Sequence, residues 1–140
     1  MKAAILCLAM VASFFTQALF ACSCRQAPDI ETGVPVAVEY ADVVFLAEAV
    51  SIDKDRVSEF ETYDTTTFAL QSVWKGDLGK TVTTRVMTTC CLCGFRFTAG
   101  QTYLVYGKRG GNGQYTVSTC SRTKNRQHAE DELRFLQAHY

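Results

Sequence analysis

The cysteines constrain this chain more than any other feature of its sequence. Cys7 lies in an apolar N-terminal run, and an even number of cysteines follows that run. An even count in a short exported chain is typical of a disulfide framework, although the count leaves the pairing open. The six residues concerned are Cys22, Cys24, Cys90, Cys91, Cys93 and Cys120.

The first 21 residues have the three-part layout of a secretory signal peptide. Lys2 supplies a positive charge, the apolar run AAILCLAMVASFF follows, and the small residue Ala21 precedes Cys22. Thr16 and Gln17 interrupt the apolar character, and the run is short for crossing roughly 30 Å of hydrocarbon. We therefore predict a signal peptide over residues 1–21 and one domain over residues 22–140. We expect this domain to be secreted, periplasmic or at the cell surface.

The cleavage region allows two routes of maturation. The sequence LFAC, which ends at Cys22, resembles a lipobox, whereas ordinary cleavage after Ala21 would leave Cys22 unmodified. A thiol that carries a lipid cannot enter a disulfide, so lipidation would leave an odd number of cysteines. The even count favours ordinary cleavage, and we expect a membrane as partner only if Cys22 is lipidated.

The balance of charge narrows the choice of partners. The chain has 14 basic and 14 acidic residues, and removal of the signal peptide takes away Lys2 alone, which leaves a net charge of −1. Such a chain has no excess of positive charge with which to bind a phosphate backbone. We expect a monomer that does not bind nucleic acid.

Five segments have the composition and alternation of β-strands. In one of them, Val82, Thr84 and Val86 alternate with Thr83 and Arg85, which is the period of a half-buried strand. The turn sequence Asn112-Gly113 stands between the last two segments and is typical of a hairpin. The predicted strands cover residues 41–52, 65–74, 80–89, 101–108 and 114–120, and this spacing indicates a small barrel or sandwich.

Helices are predicted near both ends of the domain. Residues 36–40 form a short candidate helix, and residues 126–140 have apolar side chains at helical spacing. Asn125 precedes the second helix as a candidate cap. We expect Ala129, Leu133, Leu136 and Tyr140 to face the core, with Glu130, Asp131 and Arg134 turned outward.

The sequence offers little positive evidence for an enzyme. HExxH, GxSxG and glycine-rich phosphate loops are absent. We interpret His128 and His139 as surface or packing residues, and Glu59, Glu61 and Asp64 as solvated charges in a polar loop. The prediction is a protein without catalytic activity and without a cofactor.

The cluster CCLC, Cys90 to Cys93, contains a CxxC pattern. Structural disulfides, a thiol-redox site and a structural zinc site all use such a pattern. The export signal and the lack of a surrounding βαβ pattern favour structural disulfides.

Five short motifs carry a resemblance to a known family. They are CSC from Cys22, ADVVFLAEAV from Ala41, LCG from Leu92, YLVYGK from Tyr103 and STCSRT from Ser118. In this order they resemble the N-terminal domain of the tissue inhibitors of metalloproteinases, and the shorter single-domain proteins of the netrin-module superfamily. The similarity extends over nearly the whole of residues 22–140.

The resemblance implies a mainly β OB-fold: a five-stranded closed β-barrel with a C-terminal α-helix and a short N-terminal helix. It also implies two disulfides, Cys22–Cys93 and Cys24–Cys120. The family's third disulfide has no counterpart, since Glu39 or Tyr40 stands where its cysteine would be. Cys90 and Cys91 are additional, and the choice between a vicinal disulfide and a link to another chain stays open.

The resemblance also implies a function. In these inhibitors, the amine and carbonyl of the N-terminal cysteine chelate the catalytic zinc of a protease. Transferred to this chain, Cys22 would bind the zinc of a metalloendopeptidase in trans and Ser23 would enter the S1′ pocket. The binding ridge would continue through Cys24, Arg25, Cys91 and Leu92. The alternative is an extracytoplasmic interaction module that does not inhibit, either soluble or lipid-anchored at Cys22.

Overall fold

The computed structural model describes residues 22–24, 29–89 and 93–140. Within these residues the protein is mainly β, with two α-helices. The strands are β1 (Val43–Arg56), β2 (Thr62–Lys75), β3 (Thr81–Met87), β4 (Thr102–Arg109), β5 (Tyr115–Thr116) and β6 (Lys124–Asn125). Helix α1 (Ile30–Tyr40) precedes them, and a 3₁₀-helix (Arg126–His128) leads into helix α2 (Glu130–His139).

Five of the strands close into a ring. Antiparallel pairing joins β1 to β2, β2 to β3, β5 to β4 and β4 back to β1. The ring is completed by a parallel pairing of β3 with β5, through Thr84 and Tyr115. Strand β6 pairs with the beginning of β4. The prediction of a mainly β fold with a helix near each end is confirmed, and five of the six described strands form the ring.

Apolar side chains fill two separate clusters. Inside the ring, Phe68 contacts Phe45 and Phe97 edge-on, with ring centroids 5.7 and 4.9 Å apart. Outside it, α1 and α2 cover the other face of β1 and β4, where Val44 and Leu104 are fully buried. Alternate residues of β1 face one cluster and then the other. Both faces of the strand are therefore buried, as its apolar sequence VVFLA indicates.

The helices differ from their predicted extents. Helix α1 begins at Ile30 rather than Val36, because Val34 packs into the cluster outside the ring and Gly33 is buried, despite the following Pro35. Helix α2 begins at Glu130, since residues 126–128 form a 3₁₀-helix that Asn125 caps by accepting a hydrogen bond from the Gln127 amide (3.0 Å).

The predicted inner face of α2 is mostly correct. Ala129, Leu133 and Leu136 are buried, whereas the expectation for Tyr140 is wrong: it follows the last turn of the helix and its side chain is 55% exposed. The residues that were predicted to point outward, Glu130, Asp131 and Arg134, are exposed.

Strands β1 and β2 are longer than predicted and form a hairpin that extends beyond the ring. Pairing of β1 with β4 ends at Glu48 and Thr102, whereas pairing with β2 continues to Arg56 and Thr62. The interpretation of Asp64 as a solvated loop residue is therefore wrong. Asp64 lies in β2, is buried, and accepts a hydrogen bond from the Thr88 hydroxyl (3.3 Å).

The turn between β4 and β5 forms the predicted hairpin. Gly113 has a φ of 79°, which favours glycine, and the Gly110 amide donates to the Gln114 carbonyl (2.7 Å). Strand β5 has only two residues instead of the predicted seven, and β6 was not predicted. Among the described residues, no helix has the length and apolar character needed to cross a membrane.

Candidate functional site

The candidate site is the short segment Cys22–Ser23–Cys24, all of whose residues are exposed. Two disulfides fix it to the rest of the protein, Cys22–Cys93 and Cys24–Cys120. Both pairings that the family resemblance implied are therefore present. The bonds join residues separated by 71 and 96 positions, so each closes a long loop of chain.

The two cysteines that receive this segment lie on neighbouring stretches of chain. The Phe95 amide donates to the Val117 carbonyl (2.9 Å), and the Thr119 amide donates to the Cys93 carbonyl (2.7 Å). Between these bonds, Gly94 and Ser118 form an antiparallel bridge. Because Cys93 and Cys120 are held side by side, two cysteines only two residues apart can reach both of them.

Gly94 allows this arrangement to lie against the end of β3. A Cβ atom added at Gly94 would lie 2.2 Å from the Met87 carbonyl oxygen and 2.5 Å from a Val86 methyl group. Real Cβ atoms do not approach a backbone oxygen so closely, so only glycine fits here. Steric crowding therefore explains why the last residue of the LCG motif is glycine.

A buried network of charged side chains connects the segment that follows Cys120 to helix α2. Glu132 accepts hydrogen bonds from Arg122 (2.7 Å) and from the Tyr106 hydroxyl (2.9 Å), and its second carboxylate oxygen lies 2.6 Å from Lys124. Arg122 follows Cys120 by two residues, so the network steadies the anchor of the Cys24 disulfide.

The network also shifts the pKa values of Glu132 and Tyr106. Burial by itself raises the pKa of Glu132, but hydrogen bonds from Arg122 and Lys124 outweigh it and hold the pKa below its usual range. Burial and the neighbouring Glu132 carboxylate raise the pKa of Tyr106. Glu132 therefore stays ionised and Tyr106 stays neutral at physiological pH.

Sequence reasoning missed this network. Glu132 is one of three acidic residues at the start of α2, and its two neighbours Glu130 and Asp131 are exposed. A signal was nevertheless present, because position 132 lies between the core-facing positions 129, 133 and 136 on a helix of 3.6 residues per turn.

The disulfide at Cys22 bears on the two routes of maturation. A lipid anchor on Cys22 requires the same Sγ atom that the bond to Cys93 uses. The anchor and the bridge therefore exclude each other. Disulfides of this kind persist in oxidising compartments, which agrees with the predicted export.

The remaining predicted site residues are only partly placed. Ser23 lies between the two disulfide-bonded cysteines, whereas Arg25, Cys90, Cys91 and Leu92 lie outside the described residues. His128 is exposed, and His139 stacks on Phe135 with ring centroids 4.1 Å apart, as expected of surface and packing residues. Within the described ranges, no group of three or more His, Cys, Asp or Glu side chains could hold a metal ion.

Comparison of the chain with models of protein families and with curated proteins found no match.

Proposed function

We propose that this protein is a secreted inhibitor of zinc metalloendopeptidases, similar to the tissue inhibitors of metalloproteinases and built on an OB-fold. The observation that carries the proposal is the exposed Cys22–Ser23–Cys24 segment, which two disulfides fix to the ring of strands. A closed ring of five strands with flanking helices is also what an OB-fold requires.

The chemistry of such a segment suits a catalytic zinc ion. After cleavage following Ala21, Cys22 would carry a free α-amine next to its own carbonyl oxygen. Zinc accepts nitrogen and oxygen donors and keeps one position open in catalytic sites. A five-membered chelate through these two atoms would occupy that position in place of the attacking water.

The two disulfides limit the conformational freedom of the segment, which favours tight binding. Binding costs less free energy when the bound conformation already exists in the free protein. Both residues that flank Ser23 are covalently fixed, so its side chain is presented from a backbone that needs little further ordering.

The test compares three forms of the mature protein: one that begins at Cys22, one with an alanine before Cys22, and a control with the alanine after Tyr140. Inhibition of several zinc endopeptidases is measured with a fluorogenic peptide substrate. If zinc coordination contributes about 3 kcal/mol, the added N-terminal alanine should weaken inhibition roughly 100-fold, and the control should not differ.

The pH dependence of inhibition gives a second readout. Only the deprotonated amine binds zinc, and a free α-amine has a pKa of about 7.7–8.0, so inhibition should weaken about tenfold per pH unit below that range. Full inhibition by the N-terminally extended form would contradict the proposal. Failure of all three forms to inhibit would instead favour a non-inhibitory interaction module.

A further inference from the structure

Part of one edge of the hairpin of β1 and β2 is not paired with any of the described strands. The last contacts of β1 with the β4 side are the hydrogen bonds between Ala49 and residues Gly100 and Gln101 (2.7 and 2.9 Å). Beyond Ala49, β1 continues for seven residues, and β2 is the described strand that pairs with them, since β3 lies on the other side of β2. None of the described strands lies along the outer side of these residues. We call the last five of them, residues 52–56, the free edge.

The direction of the backbone groups along the free edge follows from the next strand. Thr62 directs its carbonyl to the Thr88 amide (2.8 Å) and its amide to the Thr89 hydroxyl (2.9 Å), both on the β3 side. Arg56 stands opposite Thr62, so its own N–H and C=O point away from β2. By the two-residue period of a strand, Ile52, Lys54 and Arg56 all present their backbone groups on the free edge.

The side chains of the free edge alternate in charge. Asp53 and Asp55 project from one face of the hairpin, and Lys54 and Arg56 project from the other. All four are exposed; Asp55 contacts Arg85 (3.2 Å) yet remains 63% exposed.

This alternation disfavours a second copy of the chain as the partner. Antiparallel pairing needs outward-pointing residues of both strands to face each other. In the central register Lys54 then meets the same lysine of the other copy, and Asp53 meets Asp55. Registers shifted by two residues set Asp53 against Asp53, or Asp55 against Asp55. Like charges directly opposite each other destabilise a strand pair.

The charges of the free edge are complemented instead by a strand in which the order of acidic and basic residues is reversed, which we call the complementary phase. Basic side chains would lie beside Asp53 and Asp55, and acidic side chains beside Lys54 and Arg56, while the outward backbone groups complete a ladder. At the end of the edge, Val57 is 55% exposed and offers an apolar contact. We propose that the free edge binds an extended segment of another protein whose acidic and basic side chains alternate in this complementary phase.

The test uses two synthetic peptides of the same composition. The matched peptide, Val-Glu-Lys-Glu-Lys-Val-Thr, runs antiparallel from Val57 to Ser51 and places an opposite charge at each of the four charged positions. The control, Val-Glu-Glu-Lys-Lys-Val-Thr, matches at most two of these positions in any register. We expect the matched peptide to bind the mature protein about tenfold more tightly at low salt.

Amide hydrogen exchange identifies where the peptide binds. The matched peptide should slow exchange at Ile52, Lys54 and Arg56, whose amides point outward, and leave Asp53 and Asp55 nearly unchanged because these already bond to β2. The variant Lys54→Pro removes one outward N–H without removing a bond to β2, and should weaken binding of the matched peptide.

Three results would overturn the proposal. They are equal affinity for the two peptides, absence of binding by the matched peptide at millimolar concentration, and slowed exchange that does not alternate along the edge. Protection of the same amides that increases with protein concentration, in the absence of peptide, would identify a second copy as the partner and would also overturn it.

Discussion

The two ends of the described chain are attached to the ring of strands by different forces. The segment Cys22–Ser23–Cys24 is exposed and is attached through two disulfides. Helix α2 is attached without a disulfide, through the buried side chains of Leu133 and Leu136 and the ionised Glu132. The difference shows how each attachment suits its exposure. An exposed segment gains little from burial of its side chains, whereas a disulfide holds it in place even in contact with solvent.

The largest expected effect comes from breaking the covalent attachment. Replacing both Cys24 and Cys120 with serine removes a bond between residues separated by 96 positions, while Cys22–Cys93 remains. Because the remaining bond already joins Cys22 to Cys93, the second bond closes a loop of only about 30 residues in the unfolded chain. Loop entropy then predicts a decrease of about 3.5 kcal/mol in the free energy of unfolding, measured by equilibrium urea denaturation. A decrease below about 1 kcal/mol would mean that non-covalent contacts hold this end as they hold the other.

Breaking the charged attachment of α2 should cost somewhat less. The variant Glu132→Gln removes the carboxylate that Arg122, Lys124 and Tyr106 contact. Loss of one partner of a buried ion pair predicts a decrease of about 3 kcal/mol in the free energy of unfolding by the same urea method.

The matched control for Glu132→Gln is Glu130→Gln. It makes the same change on an exposed position of the same helix, where an effect within about 0.5 kcal/mol is expected. Equal effects of the two substitutions would show that burial of Glu132 adds nothing to the attachment of α2.

The smallest expected effect is the response of the α2 attachment to acid. The pKa of Glu132 is lowered on folding, so its contribution is complete above the ordinary value of 4.5 and is lost as pH falls through the lower folded value. Between about pH 5 and about pH 3, the unmodified protein should lose more unfolding free energy than the Glu132→Gln variant. Parallel losses in the two proteins would contradict this role for the carboxylate.

The strands could be predicted from the sequence because their period is local. Val82, Thr84 and Val86 are buried in the order that their alternation indicates. The extents of the elements were less predictable. The hairpin of β1 and β2 is held by pairing between distant residues such as Arg56 and Thr62, and the charged composition of residues 53–56 gives no local sign of a strand.

The disulfides of the candidate site were predicted only through the family resemblance. Six cysteines do not specify a pairing, and the pairing found depends on the bridge between Gly94 and Ser118, which joins positions far apart in sequence. The same limit applies to Glu132, since nothing near it in the sequence indicates Arg122 or Tyr106 as its contacts. Interactions that a tertiary neighbour creates are the ones that sequence reasoning missed.

The placement of the two disulfides also affects how the protein withstands a proteolytic cut. A single cut between Cys24 and Cys93, for instance at the exposed tip of the long hairpin near Phe60, would leave fragments joined by both bonds. A cut between Cys93 and Cys120 would leave the two fragments joined by the Cys24–Cys120 bond. Among the described residues, those that follow Cys120, which include α2, would separate from the rest after a single break. A nicked molecule would thus still hold the segment Cys22–Ser23–Cys24 in place through its two disulfides.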